Sequence, residues 1–313
     1  MTKIKRIILM LAVFIFCVPA VFFASGCDDN RPPDIVVTVF PIYDWTMVIL
    51  GDNPANFKVR YLLETGVDLH AFDPSAIDRA YIASCYLFIY VGGKSDGWTL
   101  GALAGQHQTN EYRRTLRLME QLDEGALLQG GDDCCGGLEP DEHIWMSIRF
   151  AKIFIDAILY ELKSLDPANS AYYTANAAAY IAQLEKLDQE FMAMVENASQ
   201  DTIVVADRFP FLYLVRDYGI SFYAAFDGCS IVTDVPLARR IHLINTVNRL
   251  NSRAILTINN TYLANTIRDT ADHNPEVLFL EDFQTVSRVR INQGFSYIDG
   301  MRTNLQALTK ALA

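Results

Sequence analysis

Four side chains able to bind a borderline metal ion stand in four separate segments, each just beyond a strand-like run or its loop. His70 follows the extended run 58–63 and a glycine turn at Gly66, and Asp73-Pro74-Ser75 then opens a helix. His143 lies in Glu139-Pro140-Asp141-Glu142-His143-Ile144-Trp145, directly ahead of a long amphipathic stretch. Asp207 and Glu281 follow the apolar runs 202–206 and 277–280. Imidazole nitrogen with carboxylate oxygen suits zinc or manganese. Each ligand must be deprotonated, so affinity should weaken as pH falls through the histidine range. One loop histidine is ordinary solvated surface; two among carboxylates, with an acid from each of two more loops, point to a shared divalent-ion site. For Asp207 there is a competing role, pairing with Arg208 or capping a helix.

Such a site needs strands that end together. The β-branched run 35–39 reads as a strand buried on both faces, and Pro41 suits the first turn of a helix. Further strands are expected at 87–91, 202–206, 222–226, 254–258 and 277–280, with helices at 209–218, 237–250, 262–271 and 297–312. Strand–helix alternation argues for βαβ units, and open parallel sheets place ligand groups beyond the strands' carboxyl ends. Ser147 is placed to cap a helix with the apolar stripe Phe150, Ile153, Phe154, Ala157, Ile158 and Leu162. After Asp166-Pro167, residues 167–195 read as one long helix burying Tyr173, Ala177, Tyr180, Ile181, Leu184, Leu187 and Phe191. Its pattern is too short and irregular for a heptad dimer, and a monomer is expected. The fold class is therefore α/β: two lobes, each a parallel sheet flanked by helices, joined by a rigid spine helix. The expected divisions are 1–26 signal peptide, 27–34 tether, 35–165 N-terminal lobe, 166–200 linking helix and 201–313 C-terminal lobe.

A chain of 313 residues exceeds the usual single core, and a net charge of −11 argues against nucleic acid as a partner. Lys3, Lys5 and Arg6 precede the apolar run 7–23, and Ala24-Ser25-Gly26-Cys27 follows. That is a secretory signal ending in a bacterial lipobox, with Cys27 the lipidated residue anchoring the protein to the membrane outside the cytoplasm. An uncleaved membrane anchor is the alternative. Of six cysteines, Cys85, Cys134, Cys135 and Cys229 then remain, at spacings that fit no zinc ribbon or finger. Cys134 and Cys135 stand in a glycine-rich loop where a soft metal or plain mobile surface are both open readings.

The glycine-led His70-x-x-x-Pro74 motif, the run ending in Gly92-Gly93-Lys94-Ser95-Asp96-Gly97-Trp98, and Asp141-Glu142-His143-Ile144-Trp145 together resemble the substrate-binding lipoproteins of zinc and manganese ABC importers. The resemblance runs from about Val36 to the C-terminus, with Gly294-Phe295-Ser296-Tyr297 and Met301-x-x-Asn304-Leu305 in its closing helix. It implies capture of Zn2+, or Mn2+ next, and delivery to a permease and its ATPase, with no catalysis. It also implies a third ligand at a position that falls here on Arg208, which cannot coordinate a metal; Asp207 serves if the loop is shifted, with Arg208 turned away or paired to Asp227 or Asp282. The fourth family ligand falls on Glu281, with Asp282 in reserve. The competing functions are a secreted zinc hydrolase, against which there is no His-Glu-x-x-His helix, and a surface adhesin or metal sensor.

Overall fold

Ile35–Val37 (β1) is wholly buried, as its β-branched composition requires, and pairs in parallel with Val59–Tyr61 (β2) on one side and Leu87–Tyr90 (β3) on the other. The structure, a computed structural model, describes residues 31–64, 67, 69–104, 109–130, 139–226, 235–284 and 286–313. Residues 32–313 form one compact unit, which holds every element named below. Arg114–Arg117 (β4) completes the first sheet in the order β2-β1-β3-β4. The second sheet repeats that plan as β6-β5-β7-β8, from Thr202–Val205 (β5), Ser221–Ala224 (β6), Ala254–Thr257 (β7) and Glu276–Phe279 (β8). All pairings between these strands are parallel. The sequence reading missed β4. It is an edge strand in which only Leu116 is buried, with two arginines, so it lacks the apolar run that marks a central strand.

Helices Phe40–Leu50 (α1), Ala76–Ser84 (α2) and Thr99–Leu103 (α3) belong to the first half. Ile148–Leu165 (α4) and Ser170–Glu196 (α5) follow, then Leu212–Tyr218 (α6), Leu237–Leu250 (α7), Thr261–Thr270 (α8), Arg288–Asn292 (α9) and Tyr297–Ala311 (α10). Ser147 Oγ accepts the Phe150 N–H and caps α4, as expected. The expected stripe errs at one place, since Ile153 is exposed. With 27 residues, α5 is about 40 Å long. It buries Tyr173, Ala177, Tyr180, Leu184, Leu187 and Phe191, while Ile181 is half-buried.

The spine is tied to both halves through one buried carboxylate. Asp44 of α1 accepts the Tyr180 hydroxyl from α5 at 2.9 Å and the Tyr297 N–H of α10 at 3.1 Å. Burial pushes its pKa up to about 6, against the pull of those two hydrogen bonds. Tyr297 also packs edge-on to Trp45, with ring centres 5.2 Å apart. One hydrophobic core runs unbroken from Ile35 to Leu312 through these contacts.

Candidate metal centre

His70 sits in a single 3-10 turn, Leu69–Ala71, held between the end of β2 and a helix start that leaves little freedom. Ser75 and Asp78 form a reciprocal capping box on α2, which fixes the loop's exit. Leu69 is buried, so the turn presents His70 with 15 % of its side chain exposed. Its Nε2 lies 3.2 Å from Glu142 Oε1.

Glu142 is the buried pivot of this cluster. The Ser95 N–H donates to its Oε2 at 2.9 Å, and the Ser95 hydroxyl donates to Oε1. Gly93 makes room for it, because a Cβ at that position would collide with the Glu142 Cβ and carboxylate. Burial alone would raise the Glu142 carboxyl. The His70 hydrogen bond, the charge of His143 and the Ser95 hydrogen bond outweigh it and hold the carboxyl below its usual range.

His143 is 2 % exposed and so belongs to the core although it stands in a loop. Its backbone N–H donates to Asp141 Oδ1 at 2.9 Å, and its Nδ1 lies 3.2 Å from both Asp141 oxygens. A carboxylate on one ring nitrogen orients the imidazole and leaves the other for a ligand. Burial works against protonation of His143, but Asp141 and Glu142 prevail and raise its pKa above the ordinary imidazole value. Its Nε2 is 3.3 Å from Gln284 Nε2. The rings of His70 and His143 are tilted, 5.7 Å between centres. Two imidazoles on one tetrahedral zinc, with bonds of about 2 Å, place their ring centres about 5–6 Å apart. Among the described residues, no group of three or more His, Cys, Asp or Glu side chains is placed to hold a metal ion without rearrangement.

The second half faces this cluster with a loop held by Trp145. The indole N–H donates to the Asp282 carbonyl at 2.8 Å, and the Tyr297 hydroxyl donates to the Trp145 carbonyl at 2.6 Å. Phe283 has a φ of 61°, which is uncommon for a bulky residue, and its ring is buried among Phe40, Phe295 and Tyr297. Ahead of that turn, Glu281 is half-buried and its neighbour Asp282 is buried. Glu281 makes a two-pronged pair with Arg290 at 2.8 and 3.0 Å. Asp282 is 9 % exposed and accepts the Gln284 N–H at 3.1 Å. Burial raises the Asp282 carboxyl, partly offset by the Gln284 hydrogen bond and by the charges of Arg208 and His143.

Asp207 is occupied elsewhere. Its Oδ2 accepts the Thr257 hydroxyl and the N–H groups of Ile258, Asn259 and Asn260 at 2.7–3.0 Å, and its Oδ1 accepts the Arg208 N–H at 2.9 Å. These three successive amides lead into α8, so the carboxylate anchors that loop, and only Oδ1 keeps a lone pair. Among the expected site residues, the structure thus brings His70 and His143 together with Glu142. It sets Asp282 within electrostatic reach, and it commits Asp207 and Glu281 to other partners. Glu142 and Gln284 had no assigned part in the sequence reading; an acid directly before His143 was the available signal for the first. Cys27, Cys134, Cys135, Cys229 and Asp227 lie outside the described residues. Among those described, no helix is long and apolar enough to cross a membrane.

The zinc-binding lipoprotein AdcA of Streptococcus pneumoniae is 28 % identical over 319 residues, covering 97 % of this chain and 60 % of AdcA. The chain therefore spans about three-fifths of that relative's length. The high-affinity zinc uptake system protein ZnuA of Bacillus subtilis is 25 % identical, covering 89 % of this chain and 87 % of its own. The crystal structure of the Zn(II)-bound ZnuA-like domain of Streptococcus pneumoniae AdcA superposes with a TM-score of 0.73 at 26 % identity, covering 90 % of this chain and 99 % of the domain. The zinc-binding protein TroA of Treponema pallidum shares the fold, with a TM-score of 0.74 at 20 % identity over 90 % of this chain and all of its own. The two sheets and the spine helix agree with one further match: the family described as zinc-uptake complex component A, periplasmic (ZnuA), covers residues 35–311, and the chain belongs to it.

Proposed function

We propose that this protein is the extracytoplasmic substrate-binding component of an ABC importer, anchored through a lipid on Cys27, that captures Zn2+ and passes it to a permease powered by an ATPase. The observation that carries this is the His70–His143 pair, at the ring separation two imidazoles on one zinc require, with Asp141 orienting one of them. Family membership supports transport and does not favour the hydrolase alternative. His70 and His143 hold the ion. A carboxylate after β8 joins them: Asp282 from its present place beside His143's field, or Glu281 after leaving Arg290. Asp207 fixes the loops of the second half and has one Oδ1 lone pair to offer.

The test has two arms. Purified protein is titrated with zinc against a chelating dye, and cells lacking the gene are grown in zinc-limited medium. Tight binding with restored growth is expected from wild type, and neither from His143→Ala. Wild-type protein that binds no zinc would overturn the proposal.

A further inference from the structure

On the resemblance, read without a gap, the third-ligand position falls on Arg208, a fixed cation with no lone pair to give. The first half carries an acid in the place a replacement needs. Glu142 is buried at 4 % exposure, its Oε1 is 3.2 Å from His70 Nε2, and it adjoins His143 in the chain. Two ligands of one zinc at tetrahedral angles, with bonds of about 2.0–2.1 Å, are separated by about 3.2–3.4 Å. His70 and Glu142 already have that spacing. Ser95 holds Glu142 through a backbone N–H and a hydroxyl, and the missing side chain of Gly93 gives it space. Such support fixes a carboxylate while leaving lone pairs on its oxygens. We infer that Glu142 is a metal ligand, closing with His70 and His143 into a three-donor face on the first half when the ion enters.

The inference rests on the metal-capture reading and goes beyond it by naming a donor. When the ion enters, its charge takes the place of the His70–Glu142 hydrogen bond, and Gln284 yields His143 Nε2. Asp282, within the field of Arg208, balances that cation so that it does not oppose the incoming ion.

Affinity alone does not separate a ligand from a residue that merely orients His70, since losing an outer partner already costs about 10–100-fold. The experiment therefore pairs zinc competition with the visible spectrum of the cobalt(II)-loaded protein, for wild type, Glu142→Gln, Gly93→Ala and His143→Ala. Glu142→Gln should weaken zinc at least about 30-fold and shift the cobalt bands, because an amide oxygen replaces a carboxylate on the ion. Gly93→Ala keeps every donor but displaces Glu142, and should move both readouts in the same direction. Metal-free melting curves identify any variant that fails to fold, and the other variant then decides. Weaker binding with unchanged cobalt bands would make Glu142 a positioning residue and overturn the inference, as would unchanged zinc affinity. If Glu142→Gln matches wild type while His143→Ala loses zinc, transport stands and this inference alone falls. Wild-type protein that binds neither ion would remove both.

Discussion

The two sheets share one strand order, yet the carboxylates at their strand ends have opposite duties. Beyond β5, Asp207 accepts four donors on one oxygen and a fifth on the other, so its charge is spent on loop amides. Beyond β3, Asp96 is 2 % exposed and accepts one N–H, from Gly92 at 2.8 Å, while its Oδ1 has no hydrogen-bond partner among the described residues. The second half uses its acid as structure. In the first half Asp96 keeps an unused oxygen, and the proposed metal donors His70 and His143 stand in the same half. Identical topology therefore sets where the strand-end loops converge, and the donors already accepted at each acid set what that acid has left to offer.

Breaking the proposed histidine pair should have the largest effect. His143→Ala is expected to lower zinc affinity by about 100-fold or more, with a stability loss of about 1–3 kcal/mol because the residue is buried, read by dye competition and thermal melting. Breaking the structural half should invert that pattern. Asp207→Asn leaves an amide group facing a backbone donor and should cost about 1–3 kcal/mol of stability while zinc affinity changes much less. A large affinity loss with unchanged melting would return Asp207 to the ligand set.

Asp96 sharpens the contrast through pH. Burial raises its pKa from 3.8 to about 7, against the Gly92 hydrogen bond. A raised acid contributes stability in full below its unfolded pKa and loses it as pH climbs through the folded value. From pH 5 to pH 8, wild type should therefore lose on the order of 1–2 kcal/mol that Asp96→Asn does not, measured by denaturant melts. Parallel curves for the two proteins would show that Asp96 is not the group responsible. The smallest effect is expected at Glu281. While it stays with Arg290, Glu281→Gln should change zinc affinity by less than about 3-fold, because that half-exposed pair is worth little. A loss beyond tenfold would mean that Glu281 swings to the ion, and would shift the fourth donor from Asp282.

Much of the frame was legible from residue pattern. The β-branched core strands, the uninterrupted α5 and the Ser147 cap each follow from local physics, since burial on both faces, helix propensity and an N-cap hydroxyl leave few alternatives. His70 and His143 were also visible, because imidazoles among carboxylates near strand ends are few in any chain. The edge strand β4 was not, as one solvated face erases the apolar run. Which acid meets which partner was decided only in three dimensions. Asp207 reaches amides some fifty residues away, Glu281 pairs with Arg290 while the adjacent Asp282 is buried, and Glu142 meets Ser95 across 47 residues. A carboxylate's role is set by the donors that converge on it, and that convergence belongs to the packing of distant loops rather than to spacing along the chain.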